Sequence, residues 1–529
     1  MNKKMMMIAK KSRTTNTIFN FTSTVGGQFI TILMHFIVRT VFIHTLGKSY
    51  LGITGLFNNI LQMLSLAEFG VGSAILYKLY EPLEKNDTNR IAVLMKFYKT
   101  VYQVIGLAVT VIGISLIPFL PKLIKDYDRL ETLNINAVFI FLLYLMKTVS
   151  SYLFFAYKSA IIKADQKEYL INVISYFFTL SATILQIISL LLTRDFTIYV
   201  VIMIVQVVSQ NIFCALLADR LYPYINNRNV KSLPKEEIKE IFKDCSVLFL
   251  YNLNAVVLKA TDNFVLSIFL GLEMVGLYSN YYVLYTTLST LLNQLFNSVS
   301  HSLGNLHASE SEEKQYRIFK STFLITAILG GTAGVGIFAV SDELVLAWIG
   351  KEWVIKQPFA LLMGLEVFTL AFRIALSRFR STMGLFQQAK FRPVAGMVIN
   401  LVLSAILVNV WGIVGVLIGT VVADWTTTMW LDPIIIHRFG YKNKFSVINY
   451  FIKLMKYLIV SCLAGAIAYF ITTHFFVGHG WISVIVHSAI IAVITPIILI
   501  VSAVRTEEGA YVYKMAMNSM NKIVKKVRR

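Results

Sequence analysis

Long apolar runs separated by short polar segments recur along the whole chain. Each run has about 20 residues, which is enough for a helix to cross the roughly 30 Å of a bilayer's hydrocarbon core. The pattern predicts about 14 transmembrane helices, at 19–46, 52–77, 100–120, 134–157, 169–192, 196–218, 245–270, 276–303, 319–341, 358–379, 393–410, 413–434, 456–474 and 482–504. The fold class predicted is therefore an all-α integral membrane protein with no separate soluble domain.

The basic residues fall mostly on one side of this predicted membrane. With the N-terminus inside, 38 of the 49 Lys and Arg residues lie in cytoplasmic segments. The outer loops hold only Lys48, Lys122, Lys125, Arg129, Arg194, Lys351 and Lys356. This positive-inside pattern predicts an even number of spans and cytoplasmic termini, N-in and C-in. The net charge of +21 then reflects topology, and without a basic face on a folded module we expect no nucleic-acid partner.

Composition adds to the membrane assignment and argues against an enzyme. The chain is 57% hydrophobic and only 15% charged, unlike an ordinary soluble domain. Its three cysteines lack the spacing of a disulfide framework or zinc site. Gly47-Lys48-Ser49 lacks the glycine that a phosphate-binding loop needs at position 42, where Phe42 stands. We expect no catalytic residue, cofactor or metal.

A short motif occurs twice and suggests an internal repeat. The segments LGKSYLGI (46–53) and LGLEMVGL (270–277) match at an offset of 224 residues. The same offset aligns polar positions of two predicted spans, namely Gln28 with Asn252, His35 with Lys259 and Arg39 with Asn263. At about 100 degrees per residue, the three positions of each span lie within about 40 degrees of one face. Both spans run from inside to outside, so a parallel repeat is predicted.

The repeat divides the chain into two pseudo-symmetric six-helix lobes and two additional C-terminal helices. The predicted organisation is a basic cytoplasmic tail (1–13), an N-lobe with spans 1–6 (14–218), a cytoplasmic amphipathic linker (219–243), a C-lobe with spans 7–12 (244–436), spans 13–14 (437–504) and a basic cytoplasmic tail (505–529). The linker carries Ile238, Ile241 and Phe242 at helical spacing among charges, which is typical of a surface helix.

Ionisable residues inside the predicted spans are the candidate functional groups. The basic ones are Arg39, Lys147, Lys259 and Arg373, and the acidic ones are Glu68, Asp262, Glu366, Asp424 and Asp432. Each costs about 2.5 to 3.5 kcal/mol near the bilayer centre, so they must be paired or wet. One interpretation is interhelical pairing that fixes packing, which we favour for Glu68, Asp424 and Asp432. The other is a central cavity, favoured for Arg39, Lys259 and Arg373.

Neutral polar residues extend this candidate cavity. They are Gln28, His35, Asn58, Gln62, Asn252, Asn263 and Asn297. Asp262, Glu366 and Glu68 are candidates for charge pairing, and Asp262, Glu366 or His35 are candidates for ion coupling. Lys259 and Asp262 are three residues apart, so they could pair along one helix surface.

The stretches FIVRTVFIHTLGKSYLGITGLFNNILQMLSLAEFGVGSAILY and TDNFVLSIFLGLEMVGLYSNYYVL carry a resemblance to a known family. They are similar to Wzx-type polysaccharide flippases, within the multidrug/oligosaccharidyl-lipid/polysaccharide exporter superfamily. The resemblance implies translocation of an undecaprenyl-diphosphate-linked oligosaccharide from the inner to the outer leaflet of a bacterial plasma membrane. Implied partners are that substrate, membrane lipid, and a polysaccharide polymerase and glycosyltransferases of surface polysaccharide assembly.

Two other functions are alternatives to a polysaccharide flippase. A multidrug exporter of the same superfamily would expel organic cations, and its cavity should be net acidic. A membrane polymerase or glycosyltransferase would place catalysis on long outer loops or a soluble domain, whereas the longest outer loops predicted here have about 15 residues.

The first prediction concerns Lys259. If this ammonium pairs with Asp262 in the empty protein and shares its charge with a substrate phosphate, Lys259→Ala should lose transport. The measurement is complementation of a flippase-null strain, and full complementation by Lys259→Ala would contradict the assignment.

Overall fold

The structure, a computed structural model, describes residues 13–65, 71–125, 127–128, 130, 135–227, 230–309, 311–355, 357–385, 387–475, 480–514 and 517; side chains at 13–25, 29, 71, 73–74, 243–259 and 297–309 are not included. All regular structure in these ranges is helical. Contacts between residues divide the chain into two compact units, Met1–Gly276 and Leu277–Arg529. The lobe boundaries predicted above remain a prediction.

The helices of the first unit are α1 (Arg13–Leu46), α2 (Lys48–Leu64), α3 (Val71–Glu84), α4 (Thr88–Leu116), α5 (Leu120–Leu123), α6 (Ala137–Leu153), α7 (Ser159–Ala164), α8 (Glu168–Thr193), α9 (Phe196–Leu221) and α10 (Lys235–Phe269). Local sequence explains several of the starts. Asp87, Asn136 and Asp195 each precede a helix and accept a hydrogen bond from a backbone N–H of its first turn. Such caps satisfy donors that the helix itself leaves open.

The chain enters the second unit through α11 (Leu272–Ser309). The helices that follow are α12 (Glu312–Ile349), α13 (Phe359–Thr382), α14 (Arg392–Trp411), α15 (Ile413–Thr426), α16 (Thr428–Ile435), α17 (Val447–Phe475) and α18 (Gly480–Ala503), with a π-helical turn at Ile436–Gly440. Phenylalanine and tyrosine side chains of α12, α13 and α17 form a buried core of this unit, which includes Phe323, Phe372 and Tyr457.

The chain is a multi-pass membrane protein. Ten helices within the described ranges are long and apolar enough to cross a membrane, or eleven if the bent pair α6 and Ala156–Ala164 counts as one span. Large apolar side chains also cover the outside, with Leu192 79% and Ile482 76% exposed. A lipid environment accounts for such faces, which would be unfavourable in water.

Within the described residues each of the 14 predicted spans lies largely in helix, although the number that cross the membrane remains a prediction. The predicted linker at 219–243 shares a helix with the seventh predicted span at 245–270. Its residues from Lys235 onward are the first turns of α10, which continues without interruption to Phe269. No glycine or proline occurs between these residues, so nothing in the backbone stops the helix.

Charged contacts hold the beginning of α10 against the neighbouring helices of its unit. Arg90 forms an ion pair with Glu237, and Lys78 Nζ lies 3.2 Å from Glu240 Oε2. Lys96 Nζ donates to the backbone oxygen of Val230 over 2.9 Å. The amphipathic part of the linker is therefore fixed by ionic contacts to α3 and α4.

The repeated motif has a reciprocal backbone contact. Gly47 and Gly271 both have positive φ, +82° and +91°, a conformation that glycine adopts at little cost. A Cβ on Gly52 would overlap the carbonyl oxygen of Leu272, and one on Gly276 would lie 2.6 Å from the carbonyl oxygen of Lys48. The two contacts are related by the same 224-residue offset, so the motif glycines allow the first turns of α2 and α11 to touch.

The C-terminal helices α17 and α18 pack onto α12 of the second unit. Gly331 faces Ser461 and Leu499, where a Cβ would lie 2.6 Å from Ser461 Oγ. At one end of α12, His487 Nδ1 lies 2.7 Å from Glu343 Oε2. Toward the other end, Lys320 Nζ lies 2.5 Å from Glu507 Oε2. Contacts at both ends bind this helix pair to α12.

Substitution of the motif glycines tests the close crossing. Gly52→Ala and Gly276→Ala should each lower the melting temperature of the detergent-purified protein, because overpacking costs about 1 to 3 kcal/mol. The matched control is Gly336→Ala, since a Cβ there meets no atom within 4 Å. Equal melting temperatures for all three variants would rule out the crossing.

Candidate functional site

The second unit contains a buried charge cluster built on α13. Glu366 and Arg373 are seven residues apart on that helix, about two turns, so they lie on one face. α15 contributes Asp424 and α11 contributes Tyr285. The side chains of Glu366 and Asp424 are each only 4% exposed, while that of Arg373 is 25% exposed.

Arg373 is the centre of this cluster. Its Nη1 forms an ion pair with Asp424 Oδ2, and its Nη2 donates to the Tyr285 hydroxyl over 2.8 Å. Nη2 also lies 3.6 Å from Glu366 Oε1. Tyr285 in turn donates its proton to Glu366 Oε1 over 3.2 Å. These four side chains thus form a continuous polar network between three apolar helices.

The cluster has two carboxylates for one guanidinium. With both carboxylates ionised its formal charge is −1, and buried carboxylates are costly unless compensated. The guanidinium of Arg373 already has hydrogen-bond partners, because its two terminal nitrogens contact Asp424 and Tyr285. An anionic ligand at Arg373 would have to compete with Asp424.

A second ionic cluster of this unit surrounds Asp432 of α16. Asp432 is fully buried; Arg392 Nη1 lies 2.6 Å from its Oδ2 and Arg380 Nε lies 3.4 Å from its Oδ1. Arg392 also donates to Thr428 Oγ1 over 3.3 Å. These contacts tie α13, α14 and α16 together, as expected of a packing pair.

The polar groups of the first unit are arranged differently from the ionic clusters of the second unit. Tyr144 of α6 donates to Thr54 Oγ1 of α2 over 3.1 Å. The Lys147 ammonium lies 5.8 Å from the ring centre of Tyr144. Arg39 of α1 is half-buried and interacts electrostatically with the phenol of Tyr199. The charged groups named here are cations, whereas two carboxylates lie beside Arg373.

The predicted site residues take different positions. Asp262, Asn263 and Glu366 are buried; Gln28, Arg39, Asn58 and Arg373 are half-buried; His35 and Gln62 are exposed. The side chains of Asn252, Lys259 and Asn297, and all of Glu68, lie outside the described residues. Glu366 and Arg373 are brought together as their shared helix face suggested. A role in substrate binding remains a prediction for every one of these residues.

Sequence reasoning missed the partners of the charges it identified. It assigned Asp424 to packing without connecting it to Arg373, 51 residues earlier. It also missed Tyr285, which appeared as one of many tyrosines. The one signal in the sequence was the cost of an arginine in an apolar span, which is lowered by a partner such as a carboxylate of another span. No cluster of three or more His, Cys, Asp or Glu side chains suited to a metal occurs in the described part of the chain.

The overall fold is similar to those of known membrane transporters. "Lipid II flippase MurJ, inward closed conformation" matches with a TM-score of 0.61 at 13% identity, covering 92% of this chain and 99% of that one. An inward-facing multidrug resistance MATE family transporter of the MOP superfamily matches with a TM-score of 0.58 at 14% identity, covering 79% and 96%. An outward-facing MATE transporter matches with a TM-score of 0.53 at 13% identity, covering 84% and 100%.

These likenesses show the fold, which is the one found in a MATE transporter of the MOP superfamily and in the flippase MurJ. The profile of the polysaccharide biosynthesis protein family matches residues 45–358, which is more than half of the chain. The chain therefore belongs to the polysaccharide biosynthesis protein family. Among curated proteins no relative is found.

Removal of Arg373 should destabilise the protein. Arg373→Met leaves Glu366 and Asp424 buried without their cation, which costs about 3 to 5 kcal/mol when one partner of a buried pair is lost. Arg373→Met/Asp424→Asn should recover most of this loss, because the second change removes one uncompensated charge. Melting temperature in detergent is the measurement.

Arg378→Met is the control for this prediction. Arg378 is also half-buried on α13, but its recorded contact is a 3.4 Å hydrogen bond from Nη2 to Asn293 Oδ1. Equal loss in Arg373→Met and Arg378→Met, without recovery in the double variant, would contradict the charge network.

Proposed function

We propose that this chain is a flippase for an undecaprenyl-diphosphate-linked oligosaccharide, moving it from the inner to the outer leaflet of a bacterial plasma membrane by alternating access. The observation that carries the proposal is membership of the polysaccharide biosynthesis protein family in a chain with a transporter fold. The resemblance to a lipid II flippase supports a lipid-linked substrate. The transported units would serve surface polysaccharide assembly.

The physical problem of such a substrate is its headgroup. Sugar hydroxyls would lose hydration in hydrocarbon without gaining partners, at several kcal/mol each. Polar side chains in an otherwise apolar helix bundle can replace that water. Asn58, Tyr285 and Asn293 supply such groups within their respective units. The polyprenyl tail can remain in lipid, so only the headgroup requires a protein-lined route.

The diphosphate requires cations along that route. Arg39, Lys259 and Arg373 are the proposed ligands, with arginine favoured for its forked donors. At Arg373 the phosphate would exchange with Asp424, and the carboxylate would restore the ion pair after release. Such an exchange returns the site to its starting state without covalent chemistry, which agrees with a transporter rather than an enzyme. The substrate's makers and users, glycosyltransferases and a polymerase, are the proposed functional partners.

Depletion of the protein tests this function. Lipid-linked repeat units should accumulate on the cytoplasmic leaflet, because their synthesis continues while their transfer stops. The measurement compares labelling of the sugar by a membrane-impermeant reagent in spheroplasts and in inside-out vesicles. Re-expression of wild-type protein or of the surface variant Lys122→Gln should restore outer-leaflet labelling. Unchanged outer-leaflet labelling in depleted cells would contradict the proposal.

One observation favours the second candidate, a multidrug antiporter. The formal charge of the Arg373 cluster is −1, as expected for a site that accepts an organic cation, and MATE transporters have a similar fold. A deletion strain that becomes hypersensitive to organic cations while keeping normal polysaccharide would support this candidate and reject the flippase.

A further inference from the structure

Lys147 of α6 stands out among the buried cations of the first unit. Across the described residues, no carboxylate lies within ion-pair distance of its Nζ, and the recorded contact is the ring of Tyr144 at 5.8 Å. Lys158 shows the contrasting arrangement in the same unit. Its Nζ lies 2.6 and 2.7 Å from the two carboxylate oxygens of Asp219 and 3.1 Å from Asn226 Oδ1. Lys158 therefore has a carboxylate partner, whereas none of the described carboxylates pairs with Lys147.

Lys147 lies on a different side of α6 from the exposed apolar residues that face lipid. Phe139, Leu142 and Met146 are 46%, 40% and 56% exposed and form that row. At about 100 degrees per residue, Lys147 lies about 110 degrees away from the row and about 60 degrees from the buried Tyr144. Lys147 is itself half-buried. Its side chain therefore starts on the protein-facing side of α6.

The contact with the Tyr144 ring compensates the Lys147 ammonium only in part. Its cost near the bilayer centre is about 2.5 to 3.5 kcal/mol, and a cation–π contact offsets about 0.5 to 2 kcal/mol. A lysine ammonium is strongly hydrated, and one that makes no ion pair remains able to exchange bound water for an anion. This distinguishes Lys147 from Arg373, whose donors already contact Asp424 and Tyr285.

Tyr144, the aromatic neighbour of Lys147, belongs to a cluster of polar and aromatic side chains from α1, α2, α6 and α9. Tyr144, one turn earlier, is oriented by its hydrogen bond to Thr54 Oγ1. Asn58 lies one turn after Thr54 on α2 and donates to the Thr54 backbone oxygen over 2.8 Å. A ring cluster of Tyr144, Phe196 and Tyr199 connects this region to the helix of Arg39 through Phe42, whose ring centre lies 5.0 Å from that of Tyr199.

We propose that Lys147, supported by Tyr144, is a binding residue for the diphosphate of a lipid-linked substrate. This inference rests on the proposed function and adds a residue to it. The first unit would accept the anion with a lysine that has no competing carboxylate, so binding there requires no ion pair to open. The charged oxygens of the diphosphate would replace water around the ammonium, and the apolar chain of the lipid would remain outside the site.

Binding of farnesyl diphosphate to the full chain in detergent tests the assignment. Farnesol, which lacks the diphosphate, is the neutral reference ligand. Wild-type protein should bind farnesyl diphosphate more tightly than farnesol. Lys147→Gln and Lys147→Met should weaken farnesyl diphosphate binding about tenfold or more, because one charge-assisted hydrogen bond is lost, and should leave farnesol binding unchanged. Lys147→Arg should stay within about threefold of wild type.

Lys122→Gln is the matched control, because it removes the same charge from an exposed lysine and should bind both ligands as wild type does. Normal farnesyl diphosphate binding by Lys147→Gln or Lys147→Met would overturn the role of Lys147 alone. Equal competition by phosphatidylglycerol would also overturn it, since the site would then recognise an ordinary anionic lipid. Wild-type protein that does not distinguish farnesyl diphosphate from farnesol would instead overturn the proposed flippase function.

Discussion

The ion pair between Arg373 and Asp424 shows the constraint on which much of the second unit depends. An arginine in an apolar helix is tolerated only when another helix supplies a carboxylate or water reaches it. Asp424 of α15 and Tyr285 of α11 supply these partners to α13. The same requirement recurs at Asp432, where Arg380 and Arg392 neutralise one carboxylate. Hydrophobic burial does not distinguish one apolar helix from another inside lipid, so such polar contacts help to specify which helices are neighbours.

The helices and the membrane location could be predicted from the sequence because both depend on local properties. Apolar runs of sufficient length coincide with helix throughout the described chain, and Gly47 and Gly271 have positive φ at equivalent points of the repeat. The continuity of α10 was less evident. The change from charged to apolar sequence after Asp244 suggested that one helix ends there and another begins. A helix can pass from water into lipid without a break when no residue interrupts its backbone hydrogen bonds.

The candidate site could be predicted only in part. Glu366 and Arg373 lie on one helix, and periodicity alone places them on one face. Their partners Asp424 and Tyr285 belong to helices that are far away in the sequence. Local periodicity does not say which distant helices pack against each other. Lys147 presented the opposite difficulty. The sequence shows Lys147 as an isolated charge in an apolar run. Whether a carboxylate of a neighbouring helix pairs with it can be seen only in the structure.

The reciprocal glycine contact also bears on how the chain arose. Gly52 touches the backbone of Leu272 and Gly276 touches the backbone of Lys48, so equivalent atoms exchange roles across the contact. This is the geometry of an isologous interface, in which one surface patch meets a second copy of itself. A duplicated gene whose ancestor paired with itself would inherit such a contact within one polypeptide. In the present chain each motif glycine depends on the backbone beside the other copy of the motif, so a side chain at either position would push the two helices apart.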